Sequence, residues 1–184
     1  MGGNLSKLHE YLKSQESLIT SAVEGMTLLD FIDRNANEYP DHPALNSPAN
    51  AEYSAWDSIS WSEYRETSKN LASGLMTLGL GPGDTAFIMS NNTKEHNIAD
   101  LGIVYSGATP STLYKQLKYS QIEYVANLME AKVAIVGDLE LFEEVNKAKK
   151  DCINLNAIVL IDGYEEKKDL DYVYSYHELI EKGK

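Results

Sequence analysis

The chain has 184 residues, 43% of them hydrophobic, and 28 acidic against 16 basic side chains give it a formal charge of -12. This length and apolar content predict one buried core, in one domain or in one large part of a bigger domain. The acidic balance argues against nucleic acid or an anionic membrane surface as a partner, since phosphate contacts need an excess of Lys and Arg, and no apolar run approaches a membrane span.

The first 26 residues are expected to form an N-terminal arm or helix that is polar and weakly amphipathic. Its apolar face carries Leu5, Leu8 and Leu12. Residues 27–184 are expected to form one α/β unit. Thr27 and Asp30 have the spacing of a capping box and open a helix in TLLDFIDRNANEY, which Pro40 ends.

A stretch rich in Ser, Asn and Pro comes next and predicts a hairpin or loop, with strand-like pieces near Tyr53 and Ile59. Ser60 and Glu63 form another capping box. Apolar residues then recur at three- and four-residue steps as far as Leu78, which predicts an amphipathic helix with one buried stripe.

The stretch GLGPGDTAFIMSNN, from Gly79 to Asn92, has the glycine content of a phosphate-binding loop. A phosphate loop follows a strand and opens a helix, whereas these glycines follow a helix and precede the strand-like run TAFIM. The order therefore favours a helix C-terminus, which Pro82 prevents from continuing. An anion site would instead lie beyond the strand, at Ser90 and its neighbours Asn91 and Asn92.

Strand-like and helical segments alternate over the rest of the chain. The strand-like runs are TAFIM, ATPSTLY, KVAIV and AIVLI. Helices between them are expected to start at the pairs Asn92 with Glu95, Ser120 with Glu123, and Ser175 with Glu178. Strands that are apolar throughout and separated by helices predict a mainly parallel sheet with helices on both faces.

In such a sheet, ligands bind at the carboxyl ends of the strands. The candidate residues there are Ser90, Asn91, Asn92, Ser111, Thr112, Gly137, Asp138, Asp162 and Gly163. Each has a structural interpretation that we favour. Asn91, Asn92 and Asp138 are good helix caps, and Asp162 with Gly163 is a turn dipeptide.

Other residues with reactive side chains are scattered. The four histidines match no metal-binding pattern, and His96 favours a surface or helix-start role. The single Cys152 excludes an internal disulfide and is expected to pack late in the helix that starts at Leu139. A strand with half-exposed tyrosines is expected at Tyr172, Tyr174 and Tyr176. Residue chemistry alone thus predicts a cytoplasmic α/β protein, to which we assign no catalytic, cofactor-binding or metal-binding residue.

From Thr27 to Gly183 the chain nevertheless resembles the N-terminal part of the adenylate-forming enzymes, most closely the long-chain fatty acid CoA ligases. The most specific block is ISWSEYRETSKNLASGLMTLGLGPGDTAFIMSNNTKEHNIADLGIVYSGATPSTLY. It is flanked by TLLDFIDRNANEYPDHPAL, by SQIEYVANLMEAKVAIVGD, and by the pair AIVLIDG and SYHELIEKGK. The resemblance implies the first part of the large domain of these enzymes, an incomplete fold.

In that family, ATP activates a carboxylate to an acyl-adenylate with the help of Mg²⁺, and the acyl group passes to coenzyme A. The resemblance implies ATP, Mg²⁺, coenzyme A and a fatty acid as ligands of the parent enzyme. The Ser/Thr/Gly-rich loop that ends in Pro-Lys-Gly and holds the ATP phosphates does not occur in this sequence, nor do the later motifs of the family. We therefore expect a fragment that is inactive alone, binds none of these cofactors, and could self-associate through exposed apolar faces.

The chain departs from the family pattern at two places. Lys94, Glu95 and His96 stand where the family commonly has proline, glutamate and an aromatic residue, and residues 115–118 replace a turn rich in proline and threonine. These differences leave acyl-chain preference open. The alternative function is a short, non-catalytic binding or interaction module derived from the same fold.

Overall fold

The computed structural model describes residues 3–48, 52 and 54–184 of the chain, with side chains from residue 7 onward. The helices are α1 (Gly3–Val23), α2 (Leu28–Glu38), α3 (Trp61–Thr77), α4 (Lys94–Tyr105), α5 (Tyr119–Leu128), α6 (Leu139–Lys149) and α7 (Tyr176–Lys182). The strands are β1 (Pro43–Pro48), β2 (Trp56–Ser60), β3 (Thr85–Met89), β4 (Thr109–Thr112), β5 (Val133–Val136), β6 (Ala157–Leu160) and β7 (Val173–Ser175). The strand-like piece near Tyr53 lies outside the described residues, as does the side chain of Leu5.

The strands form two sheets. β1 and β2 pair as the expected antiparallel hairpin, and the other strands form a five-stranded sheet in the order β4-β3-β5-β6-β7. Every pair in the larger sheet is parallel. This arrangement confirms the predicted parallel sheet.

Helices cover both faces of the larger sheet, because alternate residues of each strand point to opposite sides. On one face, Ile88, Ile135 and Val159 pack with residues of α3, α4 and α7. On the other face, Phe87, Ala134 and Ile158 pack with residues of α5 and α6. The α/β layering predicted from the sequence is therefore confirmed.

The first two capping boxes lie where the sequence predicts them. The Thr27 backbone N–H donates to Asp30 Oδ2 at 2.6 Å and starts α2. At α3 the exchange is reciprocal: the Ser60 N–H donates to Glu63 Oε2 at 2.8 Å, and the Glu63 N–H donates to Ser60 Oγ at 3.2 Å. Both helices therefore start where their own sequence directs them.

The predicted starts of α4 and α5 are wrong. The N-cap of α4 is Thr93 rather than Asn92, because the Thr93 N–H donates to Asn91 O at 2.9 Å in a tight turn. α5 starts at Tyr119 rather than after Ser120, since the Tyr119 N–H donates to Glu144 Oε2 of α6 at 3.1 Å. This carboxylate from a neighbouring helix adds to a local cap, in which the Lys118 N–H donates to Gln121 Oε1 at 3.1 Å.

The tyrosine-rich strand is also shorter than predicted. β7 contains Tyr174, but Tyr176 begins α7, is 1% exposed, and donates from its hydroxyl to Glu95 O at 3.2 Å. Burial of this phenol raises its pKa above the ordinary value, with the nearby Glu95 acting in the same direction. Cys152 lies just beyond α6 and packs against the α5–α6 side of the core, close to its predicted place.

Candidate functional site

The glycine-rich stretch forms a turn between α3 and β3. Gly79 has φ +82°, the left-handed conformation that ends a helix without steric cost to glycine. Asp84 Oδ2 accepts from the Gly81 N–H at 2.9 Å, and Asp84 Oδ1 lies 2.6 Å from Lys132 Nζ. The Lys132 ammonium is the main reason why the Asp84 pKa is below its ordinary value. This turn lies at the amino ends of the strands, which confirms that it is a helix-to-strand turn.

The opposite edge of the sheet is where a parallel fold places its ligands. From β3 the chain crosses to β4 on one side and then returns to β5 on the other, so the direction of winding reverses between β3 and β5. Such a reversal leaves a crevice beyond the carboxyl ends of the strands. Ser90 and Gly137 lie at this point, and a Cβ on Gly137 would come within 2.9 Å of Ser90 Cβ.

Polar side chains line two open depressions at this edge. One cleft of about 420 Å³ is lined by Asn91, Lys115, Gln116, Lys118, Asp138, Glu140 and Leu141. A neighbouring one of about 290 Å³ is lined by Ser90, Asn91, Asn92, Thr112, Leu113, Tyr114, Lys115 and Gln116. The ends of β3, β4 and β5, predicted as the candidate edge, therefore meet in space.

His96 links the ends of two strands at this edge. It lies in the first turn of α4, with Nδ1 2.8 Å from Ser90 Oγ and Nε2 3.2 Å from Thr112 Oγ1. Both ring nitrogens are thus engaged by hydroxyls, and the ring holds the chain after β3 against the end of β4. The sequence interpretation as a helix-start residue missed this bridge, since its partners are 6 and 16 residues away.

Asp100 lies one turn along α4 from His96 and is half-buried. Burial raises the pKa of its carboxyl, and the electrostatic influence of His96 opposes that effect. Nearby, the pKa of Tyr64 is raised to about 12, first by burial and then by the Asp100 charge. These side chains lie between α3 and α4, behind the edge, and do not line the two depressions.

The other candidates mostly have structural partners. Asp138 Oδ1 accepts from the Leu141 N–H at 3.0 Å, which confirms its capping role. Asn91 Oδ1 instead accepts from Lys115 Nζ at 2.8 Å, so the predicted capping roles of Asn91 and Asn92 are wrong. Gly163 has φ +85° and leads into a 3₁₀ turn, as its turn interpretation requires. Ser111 lies within β4, at the edge of the sheet.

The residues at this edge do not fit the phosphates of a nucleotide. The carboxylates of Asp138 and Glu140 line the larger cleft, and Asp162 lines a smaller depression beside it. The two lysines of the larger cleft have partners, because Lys115 donates to Asn91 and Lys118 pairs with Glu144. The Gly79–Asp84 turn is at the wrong end of the strands for a phosphate. Over residues 3–48, 52 and 54–184, no three His, Cys, Asp or Glu side chains converge in a way that could hold a metal ion. In the same described part, no helix is long and apolar enough to cross a membrane.

Comparison with known proteins gives a match over most of the chain. A family model described as AMP-binding enzyme matches residues 32–177. An uncharacterized protein of Mycobacterium tuberculosis is 27% identical over 150 residues, which cover 82% of this chain and 81% of that protein. Long-chain-fatty-acid–CoA ligase ACSBG1 of Rattus norvegicus is 29% identical over 128 residues, or 70% of this chain and 18% of the ligase.

A solved structure has the same fold. The long-chain-fatty-acid-CoA ligase FadD1 from Archaeoglobus fulgidus matches with a TM-score of 0.72 at 20% identity, over 86% of this chain and 30% of that protein. The chain therefore spans less than a third of the length of these two ligases, and most of the length of the mycobacterial protein.

Proposed function

The chain belongs to the AMP-binding enzyme family, and we propose that it forms the N-terminal part of a long-chain fatty acid–CoA ligase. The observation that carries this proposal is the family match over residues 32–177, together with relatives that are named as long-chain ligases. The parallel sheet and its helices agree with the corresponding part of a solved ligase. The chain is only 29% identical to the rat enzyme, and identity at this level does not fix the length of the acyl chain. Acyl-chain length is therefore the part of the proposal that needs its own test.

In this proposal the chain is a scaffold. Residues 1–26 form an arm, and residues 27–184 form the first α/β part of the large domain, placed before the loop that holds the ATP phosphates. The parent enzyme would use ATP, Mg²⁺ and coenzyme A to convert a fatty acid into its thioester. At the carboxyl edge of the sheet, Lys115 donates to Asn91, Lys118 pairs with Glu144, and two carboxylates line the same cleft. We therefore expect this chain alone to bind none of these ligands and to be inactive.

The alternative, a short non-catalytic module, is not favoured by the comparisons. One experiment separates the two: the nucleotide sequence that follows the codon of Lys184 in the source genome. We expect an open frame that soon encodes a Ser/Thr/Gly-rich loop ending in Pro-Lys-Gly. A stop codon directly after Lys184 would overturn the proposal that the chain is part of a ligase, and it would support the short non-catalytic module.

Acyl-chain length has a test of its own, which uses the complete enzyme. Its kcat/KM is measured with a series of fatty acids from two to eighteen carbons. We expect the highest value with chains of sixteen or eighteen carbons. A maximum at acetate would contradict the long-chain assignment while leaving the family membership intact.

A further inference from the structure

Helix α1 has an apolar face that nothing in the described chain covers. It is 21 residues long and makes no extended contact with any other described helix or strand. Its large apolar side chains are exposed: Tyr11 59%, Leu12 55% and Ile19 63%. In water a helix of this kind gains most of its stability by burying its apolar face, so α1 requires a partner surface.

The spacing of the face indicates what that surface is. Leu8, Leu12, Gln15, Ile19 and Ala22 follow one another at alternating steps of four and three residues, the pattern of a coiled-coil seam. Beside this seam Tyr11 and Leu18 form an apolar flank on one side, and His9, Glu16 and Val23 form a mainly polar flank on the other. A seam of this kind fits another helix with the same repeat.

A second copy of α1 fits this surface when it runs antiparallel. Placing Leu8 opposite Ile19 of the copy also places Leu12 opposite Gln15, which brings these four seam positions into contact. In a two-fold pair the polar flanks face each other, and so do the apolar flanks. His9 and Lys13 then lie near Glu16 of the copy, and Tyr11 lies near its Leu18. Lys13 and Glu16 of the copy then supply opposite charges on one side of the seam, and apolar side chains meet on the other side.

The charge of α1 does not suit a lipid surface. Its polar side chains include Lys7 and Lys13, which Glu10 and Glu16 balance, whereas helices that bind anionic lipids carry an excess of basic residues. The net charge of the whole chain, -12, would oppose such binding further. We therefore propose that this protein dimerises through antiparallel pairing of α1 with α1 of a second copy.

The test is the molar mass of the 184-residue chain by light scattering across a concentration series. We expect a mass approaching twice the monomer value of 20.5 kDa as the concentration rises. Ile19→Glu places a charge in the seam and should raise the dimer dissociation constant about tenfold or more. Ser17→Glu adds the same charge on the opposite face of α1 and should leave the dimer intact. Circular dichroism checks that the sheet and its helices fold in both variants.

Cross-linking tests the orientation. In a Cys152→Ser background, chains with Leu8→Cys are mixed with chains carrying Ile19→Cys and then oxidised. We expect disulfide-linked dimers in the mixture and few in either variant alone. A chain that stays monomeric, a dimer that Ile19→Glu does not weaken, or cross-linking of Leu8→Cys with itself would each overturn the proposal. So would Ile19-dependent binding to phosphatidylcholine–phosphatidylserine vesicles by a monomeric chain.

Discussion

Asp138 lies at the carboxyl edge of the sheet, where a ligand contact and a helix cap would look alike in the sequence. Its carboxylate accepts from the Leu141 N–H at 3.0 Å and satisfies one of the free donors at the start of α6. We expect Asp138→Ala to lower the free energy of unfolding by about 1 kcal/mol, the ordinary cost of a lost N-cap. Urea denaturation measures this change.

Asp162 provides the control, since it borders the same edge and its side chain accepts no hydrogen bond from the described residues. Asp162→Ala should change the free energy of unfolding by less than about 0.5 kcal/mol. Equal losses for the two variants would mean that capping is not what Asp138 contributes.

Asp84 is expected to make the stability of the folded chain depend on pH in the acid range. Its pKa in the folded chain is below the ordinary 3.8, chiefly because of Lys132. Because the pKa is lower in the folded chain, the ionised carboxylate stabilises the fold fully at pH values above the pKa of the unfolded chain. This stabilisation is lost as the pH falls through the pKa of the folded chain. We expect Asp84→Asn to lower the melting temperature clearly at about pH 6 and only slightly at about pH 2.5.

Thermal unfolding of the wild type and Asp84→Asn at the two pH values measures this effect. Lys132→Met is the matched variant, because it removes the same ion pair from the other side. The double variant loses the same ion pair only once. Its fall in melting temperature should therefore be smaller than the sum of the falls for the two single variants. An equal difference in melting temperature at both pH values would show that the Asp84 charge is not the cause.

Helices α3 and α7 meet so closely that only glycine fits between them. A Cβ at Gly74 would lie 2.4 Å from Leu179 O, an atom of the α7 backbone that cannot turn away. We expect Gly74→Ala to cost about 1–3 kcal/mol of the free energy of unfolding, although alanine favours helices. Ser73→Ala on the exposed side of α3 is the control, with an expected change within about 0.5 kcal/mol. Destabilisation by Ser73→Ala alone would contradict the packing explanation.

Local sequence patterns predict an element well when the groups that fix it are close in the chain. The caps of α2 and α3 are of this kind, since each partner lies three residues from the other. The start of α5 is only partly local, because Gln121 caps Lys118 three residues away while Glu144 satisfies the Tyr119 N–H across 25 residues. The bridge from Ser90 through His96 to Thr112 likewise needs α4 folded beside two strands. Such contacts follow from tertiary structure, and no short pattern in the sequence encodes them.

At the scale of the whole molecule, the apolar strands and amphipathic helices predict the layered fold. Each helix must bury its apolar face, and the sheet offers apolar side chains on both of its faces. For the candidate site, the sequence predicts the location, the carboxyl edge of the sheet, but not the contacts that the side chains make there. That edge brings together Asn91, Thr112 and Asp138, but the first two hold Lys115 and His96, and the third caps α6. Each of these three side chains therefore has a structural partner, and our proposal places the nucleotide site in other sequence.

The central claim is that this chain is the inactive first part of an AMP-forming ligase. The most direct measurement is pyrophosphate release with Mg-ATP, palmitate and coenzyme A, from the 184-residue chain and from the longer protein that we propose carries it. We expect palmitate-dependent release from the longer protein and none above background from the 184-residue chain. Release from the chain alone, or a longer protein that is folded and releases none with any fatty acid, would contradict the claim.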